Sequence, residues 1–494
     1  MKDKQIKKVR KTEEEKKLMS KKISRREFTK KAAAICGAGA IGTVNLNQRS
    51  TPASSKTSEQ RNVLLLISDD HGLGELGCYG NKVIQTPNLD RLAENGVVFS
   101  SAFTTVASCS ASRSVIYTGL FNHTNGQFGH QHSFHNQHTH KWVKGVPYIL
   151  NKKDYQTGLI GKFHVQPDEV YPFNVLEEGF GGNRDVFTMA KKANEFFNSN
   201  RDKPFLLVMG YSDPHRDWVK SNKQSYPGIK KNVYSPNDVV VPPFLPDEPE
   251  VREEMAEYYQ SVDRLDQGIG YILDYLEKSG RDKDTLIIYI SDNGIPFPGA
   301  KTTLYDPGIH MPMIVSSPIL KKRGTVNNAM VSYIDIVPTI LDWAGAETPY
   351  ELPGRSILPI LEEENPSGWE TIYASHTFHE ITMYYPMRVI RTRKYKYILN
   401  LAHQLDYPFA SDLYGSATWQ GILRREANMM GVRNVESYIH RPKDELYNLE
   451  KDPNEVNNVA NNPQYAYVLT DLKKRLRKFQ EETDDPWIVK YEYE

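Results

Sequence analysis

Three cysteines in 494 residues, Cys36, Cys78 and Cys109, exclude a disulfide-dense scaffold. Only Cys78 and Cys109 follow the basic head, so one bridge is the maximum, and there is none if either thiol has a chemical task. No stretch of about 18 uncharged apolar residues occurs, which excludes a multi-span membrane protein. Net charge is nearly absent too, 62 Lys and Arg facing 61 Asp and Glu. That balance hides an asymmetry: residues 1–31 hold 14 basic against 5 acidic residues, and the remainder holds 48 against 56. A body with an acidic excess does not bind nucleic acid by bulk phosphate neutralisation. There is no internal repeat and no low-complexity tract beyond the N-terminal lysines. What is present is ordinary globular usage, 39% hydrophobic and 25% charged, at a length suited to one large α/β domain with a smaller companion.

The basic head contains Ser24-Arg25-Arg26-Glu27-Phe28-Thr29-Lys30 and runs into a short, small-residue apolar stretch, Ala32 to Val44. Paired arginines before a brief apolar segment resemble a twin-arginine signal, which implies export of the folded chain by that machinery to the periplasm, cell surface or exterior of a bacterium. The expected organisation is an export signal over 1–45, a linker over 46–60, a catalytic domain over 61–368 and a C-terminal subdomain over 369–494.

Three apolar runs end in polar clusters. Val63 to Ser68 leads into Asp69-Asp70-His71-Gly72, Phe205 to Met209 into Ser212-Asp213-Pro214-His215, and Leu286 to Ile290 into Ser291-Asp292-Asn293-Gly294. Each has the pattern of a buried parallel strand delivering polar groups at its carboxyl end, where open α/β sheets bind ligands. Helical periodicity lies between them, over 87–95, 185–198 and 253–278. Strand-like 387–393 and 396–401 and a helix over 465–482 mark the α+β C-terminal part. Asp69, Asp70, Asp292 and Asn293 are hard oxygen donors on two strand ends, suited to Ca²⁺ or, less well, Mg²⁺; singly, each reads as a turn or helix cap.

Ser108-Cys109-Ser110-Ala111-Ser112-Arg113, with Thr118-Gly119 following, resembles the signature of the type I sulfatase family. The resemblance implies an alkaline-phosphatase-like α/β core whose Cys109 is oxidised to formylglycine by a maturation enzyme. The hydrate of that aldehyde would attack sulfur, form a covalent sulfate intermediate and expel sulfate as the aldehyde re-forms. By the same resemblance Arg113 steadies the hydrate, Asp69, Asp70, Asp292, Asn293 and Cys109 surround the metal, and Lys162, His164, His215 and Lys301 contact the sulfate, the hydrate or the leaving atom. Position 111 is Ala where most sulfatases carry Pro.

Thr118 to Gly129, Ser291 to Pro298, His376 to Glu380, Tyr385 to Arg388 and Arg441 to Pro453 are similar to the N-sulfatase branch that acts on heparan. That branch implies hydrolysis of the N-sulfate of terminal N-sulfoglucosamine in heparan or heparin saccharides. Arg216, His376, Glu380 and Arg388 are the expected sugar contacts, each with a structural ion pair or hydrogen bond as its rival reading. An O-sulfatase on another glycan, a phosphodiesterase or phosphonate hydrolase of the same superfamily, and a glycan-binding protein with a dead site are the alternatives. The histidines His130, His132, His135, His138 and His140 read as a pocket wall or polar loop in preference to a second metal site.

Overall fold

The structure, a computed structural model, describes residues 61–199, 201–216 and 223–490. The segments expected to be an export signal over 1–45, with Cys36, and a linker over 46–60 lie outside the described residues.

The run from Val63 forms the strand Asn62–Asp69, every residue of it buried. On its two sides lie Phe205–Pro214 and Thr285–Ser291, both parallel to it. The full sheet has eight strands in the order Thr325–Asn327, Val97–Phe99, Met313–Ser316, Thr285–Ser291, Asn62–Asp69, Phe205–Pro214, Gln156–Gly161 and Val175–Glu177. Only Met313–Ser316 opposes its neighbours. A sheet buried on both faces explains why these strands are continuously apolar and do not alternate with polar residues. Val63, Leu65 and Ile67 pack into one core with the helices Cys109–Thr118 and Ile336–Ala344. Leu64 and Leu66 pack into another with Pro87–Glu94, Val186–Asn198 and the 31-residue helix Pro249–Ser279. This two-residue period sorts one strand between two helical layers.

The helix expected over 185–198 begins at Val186 because Asp185 is its N-cap and accepts from Thr188 N at 3.1 Å. The pattern over 253–278 is shorter than the helix it marks, which has Pro249 in its first turn and ends at Gly280 in the left-handed region.

The C-terminal layer is antiparallel, in the order Thr371–His376, Met387–Thr392, Tyr395–Asn400, Asp444–Asn448. Helix Ala466–Glu482 covers it through Leu472, Leu476 and Phe479, and Phe479 stacks on Tyr373 at 4.2 Å. No helix among the described residues is long and apolar enough to cross a membrane.

Candidate active site

The strands Asn62–Asp69 and Thr285–Ser291 stay in register up to Ser68 opposite Ser291. The two polar clusters therefore leave the sheet side by side. Carboxylate oxygens of Asp69, Asp70 and Asp292 lie within 4.8 Å of one another, fully buried. Asn293 Nδ2 donates to Asp70 Oδ1 at 2.6 Å, and Asp70 N donates to Asp292 Oδ1 at 3.1 Å. Burial raises the Asp70 carboxyl to about 6, Lys301 opposing and Asp69 adding to the rise. Burial likewise raises Asp292 to about 7, with repulsion from Asp69 adding and Arg113 opposing. Asp69 is also buried, but the attraction of Lys162, then of His215 and Arg113, holds it far below the usual carboxylate range. Asp69 Oδ1 and Asn293 Oδ1 are buried without a hydrogen-bond partner among the described residues. Convergent carboxylates pushed toward neutrality, with two orphan oxygens beside them, fit a hard divalent cation.

Cys109 opens the helix Cys109–Thr118, all ten residues of which are buried despite their polar sequence. Burial is tolerable because the polar groups find partners. Ser112 Oγ donates to Asp292 O at 2.6 Å and Thr118 Oγ1 to Ser114 O at 2.6 Å. Arg113, one turn on from the cysteine, donates through Nε to Asp292 Oδ2 at 2.8 Å and through its terminal nitrogens to the carbonyls of Lys162 and Tyr211. The Cys109 thiol has ring nitrogens of His130 and His164 within 4.8 Å. Burial pushes it up to about 12, although Lys162 and Lys301 pull the other way. As a thiol it is a poor nucleophile at neutral pH.

The remaining charged groups close around it. Lys162 Nζ donates to Asp69 Oδ2 at 2.5 Å. Its approach depends on glycine: a Cβ on Gly161, which has φ +99°, would lie 2.0 Å from Gly210 O, so only glycine lets these strands meet there. His164, at φ 61°, shares a 2.7 Å hydrogen bond between its Nε2 and His132 Nδ1. Asp70, at φ 63°, is a second non-glycine residue of the site in the left-handed region, a conformation held by the surrounding packing. Lys301, 1% exposed, donates to Asp70 Oδ2 and to Asp412 Oδ2, each at 2.9 Å. His215 Nε2 is 3.7 Å from Asp70 Oδ2 and 3.8 Å from Asp412 Oδ2. Arg184 supports the loop of His215, donating to Asp213 Oδ1 at 2.5 Å and to His215 O at 2.8 Å, and Arg264 grips Asp213 from the long helix.

These groups open onto a cavity of about 790 Å³. His130, His132 and His135 form part of its wall together with His379, whose Nε2 is 2.9 Å from His130 Nε2. His138 and His140 do not line it. Of the four expected sugar contacts, Glu380 lines the cavity and accepts from Ser411 N at 2.9 Å and from its Oγ at 2.5 Å. Arg216 is turned onto Glu254, its guanidinium over Phe297 at 5.2 Å. His376 ends a C-terminal strand with its ring buried. Arg388 is buried and forms a two-pronged pair with Asp485, at 2.5 and 2.8 Å. Arg216, His376 and Arg388 are not part of the cavity lining. The motif around 376–388 is therefore shared between a pocket wall and a structural clamp. Cys78 and Cys109 are both free thiols.

The Arg388 clamp has a measurable consequence. Arg388→Met strips a buried carboxylate of its only cationic partner among the described residues, and loss of about 3–5 kcal/mol of stability is expected. Chemical denaturation measures it, and a KM for substrate close to wild type in the protein that remains folded would accompany it. Intact stability with a raised KM would instead make Arg388 a sugar contact.

Asp412, Arg184 and Arg264 were not visible as site residues in the sequence, because each comes from a loop or helix far from the motifs, whereas His379 lies inside the motif His376 to Glu380 without being singled out there.

Comparison with known proteins agrees with this geometry. A family model described as sulfatase matches residues 61–346, and one described as N-sulphoglucosamine sulphohydrolase, C-terminal, matches residues 300–412. The chain is 38% identical over 461 residues to the human N-sulphoglucosamine sulphohydrolase, covering 87% of this chain and 91% of that protein. It is 30% identical over 434 residues to an ulvan-active sulfatase of Formosa agariphila, covering 85% and 80%. Among solved structures, a protein in complex with its substrate D-glucosamine-2-N,6-O-disulfate superposes with a TM-score of 0.64 at 21% identity, covering 86% of this chain and 98% of that one. A buried signature cysteine beside a carboxylate cluster, on a mostly parallel sheet that a sulfatase model matches over more than half its residues, places the chain in the sulfatase family.

Proposed function

We propose that the protein is an exported N-sulfatase that removes the sulfate from terminal N-sulfoglucosamine of heparan or heparin saccharides, with its catalytic part over 61–368 and a C-terminal subdomain over 369–494. The observation that carries the substrate is the 38% identity to the human N-sulphoglucosamine sulphohydrolase across 91% of that protein. The site's chemistry agrees with it. Burial pushes the Cys109 thiol up to about 12, and membership of the sulfatase family supports its acting after oxidation to formylglycine, whose hydrated aldehyde supplies the oxygen nucleophile. Asp69, Asp70, Asp292 and Asn293 would hold a divalent cation, Ca²⁺ by the all-oxygen donors, which would supply Lewis-acid polarisation of the sulfate.

The chain's own residues do the rest. Lys162, partly buried, and Lys301, fully buried, place two positive charges beside the Cys109 position and stabilise charge that develops on the sulfate oxygens. Arg113 is locked by Asp292 and two carbonyls and fixes the start of the helix that carries the nucleophile. His215 faces the same space and is placed to hand a proton to the leaving atom. His164 stands within 4.8 Å of Cys109 and orients the nucleophile's hydroxyls.

The ulvan-active relative favours one rival, an O-sulfatase on another glycan. Release of sulfate from N-sulfoglucosamine, run beside 6-O-sulfated N-acetylglucosamine with protein whose Cys109 peptide carries the aldehyde by mass, separates them. Turnover of the N-sulfated sugar and not of the other is expected. Release from the O-sulfated sugar alone overturns the N-sulfatase reading and leaves the family intact.

A further inference from the structure

The carboxylate of Asp412 belongs to no strand-end motif, yet it lines the same cavity as Cys109. It sits in the short helix Ser411–Tyr414, which Glu380 anchors through Ser411 N and Oγ. Leu413 N donates to Asp412 Oδ1 at 2.8 Å, and this turns Oδ2 toward the site. There Oδ2 is 2.9 Å from Lys301 Nζ and 3.8 Å from His215 Nε2, and the side chain retains 18% exposure on the cavity side.

An anionic wall beside a site for anionic sulfate is costly for sulfate binding and calls for a reason. The leaving groups of the two sulfate classes supply one. In a sulfate ester the bridging atom is oxygen and carries no hydrogen, whereas in a sulfamate it is nitrogen and carries one. Hydrolysis of the sulfamate adds water's oxygen to sulfur as the S–N bond breaks. Both hydrogens of that water end on the nitrogen, so an ammonium and a sulfate dianion are released. The nitrogen is thus a donor before cleavage and a cation after it. If His215 addresses the leaving atom, that atom lies against Nε2, where two carboxylate oxygens stand near, Asp70 Oδ2 at 3.7 Å and Asp412 Oδ2 at 3.8 Å; Asp70 belongs to the cation cluster, which leaves Asp412 as the acceptor for the substrate.

We propose that Asp412 is a specificity-determining residue that accepts a hydrogen bond from the N–H of the sulfamate and stabilises the departing ammonium, selecting nitrogen over oxygen as the leaving atom. The proposal rests on the N-sulfatase reading above. A site built to pair a substrate N–H discriminates strongly against an analogue that lacks it.

The test compares kcat/KM for N-sulfoglucosamine and for 4-nitrophenyl sulfate in wild type, Asp412→Asn and Asp412→Glu, each with its melting temperature recorded. Asp412→Asn is expected to lower the ratio of N-sulfate to O-sulfate turnover by about 10- to 100-fold, and Asp412→Glu to restore part of it. Equal losses on both substrates would overturn the proposal, because a residue that merely holds Lys301 affects the sulfate group common to both. An unchanged ratio would overturn it as well. Failure of the N-sulfatase reading itself shows differently, as a wild-type protein that hydrolyses the aryl sulfate and leaves N-sulfoglucosamine untouched.

Discussion

Cys109→Ala is expected to abolish sulfate release, by about 10⁴-fold or more, while leaving a folded protein. The side chain is 1% exposed and small, so its truncation removes little more than one buried heavy atom and costs about 1 kcal/mol. The loss of turnover comes from chemistry alone. With Arg113, Lys162, Lys301 and the carboxylate cluster all in place, the variant keeps every electrostatic contribution and lacks only the oxygen nucleophile. Cys109→Ser makes the same point from the other side, since a buried hydroxyl can attack sulfur once and has no second hydroxyl with which to release it. Continuous sulfate assays, paired with mass analysis of the Cys109 peptide from wild type, test this directly. Multiple turnovers by either variant would remove formylglycine from the mechanism.

Removal of divalent cation by a chelator is the second large effect. Activity is expected to vanish, and Ca²⁺ at 100 times its Kd is expected to restore it and to stabilise the fold by about 2.7 kcal/mol. The pH dependence follows from the site. In the metal-free fold Asp70 titrates near 6 and Asp292 near 7, both above the 3.8 of an unperturbed aspartate. The folded state then binds protons more tightly than the unfolded state does. The stability these two groups contribute is complete below about 4 and falls as pH rises through 6 and 7. A cation must displace the same protons, so its affinity climbs over that window, by up to about tenfold per pH unit for each proton released. Asp69, held anionic by Lys162, competes for none. Calorimetric Ca²⁺ titrations at pH 5.5 and 7.5 measure the change, and an affinity indifferent to pH would contradict the assignment of Asp70 and Asp292 as ligands.

Much of this architecture was legible before any coordinates. Apolar runs ending in Asp-Asp and Asp-Asn announced strands and site together, because in a parallel sheet the carboxyl ends all face one edge. The helix expected over 465–482 matches Ala466–Glu482 to within a residue. The burial of Cys109–Thr118 was not, since polar residues that satisfy one another across the fold look like a solvated loop in one dimension. Arg388 illustrates the reverse case. Its motif pointed to substrate, but Asp485, 97 positions away, holds it. Asp412 was silent because nothing local distinguishes a carboxylate that meets Lys301 across 111 positions.

The placement of the first strand also sets an order of events in time. Asn62–Asp69 pairs laterally only with Phe205–Pro214 and Thr285–Ser291. As the chain is synthesised, the sheet therefore has no centre until some 200 residues have emerged, and Cys109 is not enclosed before then. Lys301 and Asp412, which complete the cavity wall, arrive later still. In the finished fold Cys109 is 1% exposed and lies at the cavity wall, so the oxidation to aldehyde that the proposed function requires would compete in time with completion of the fold.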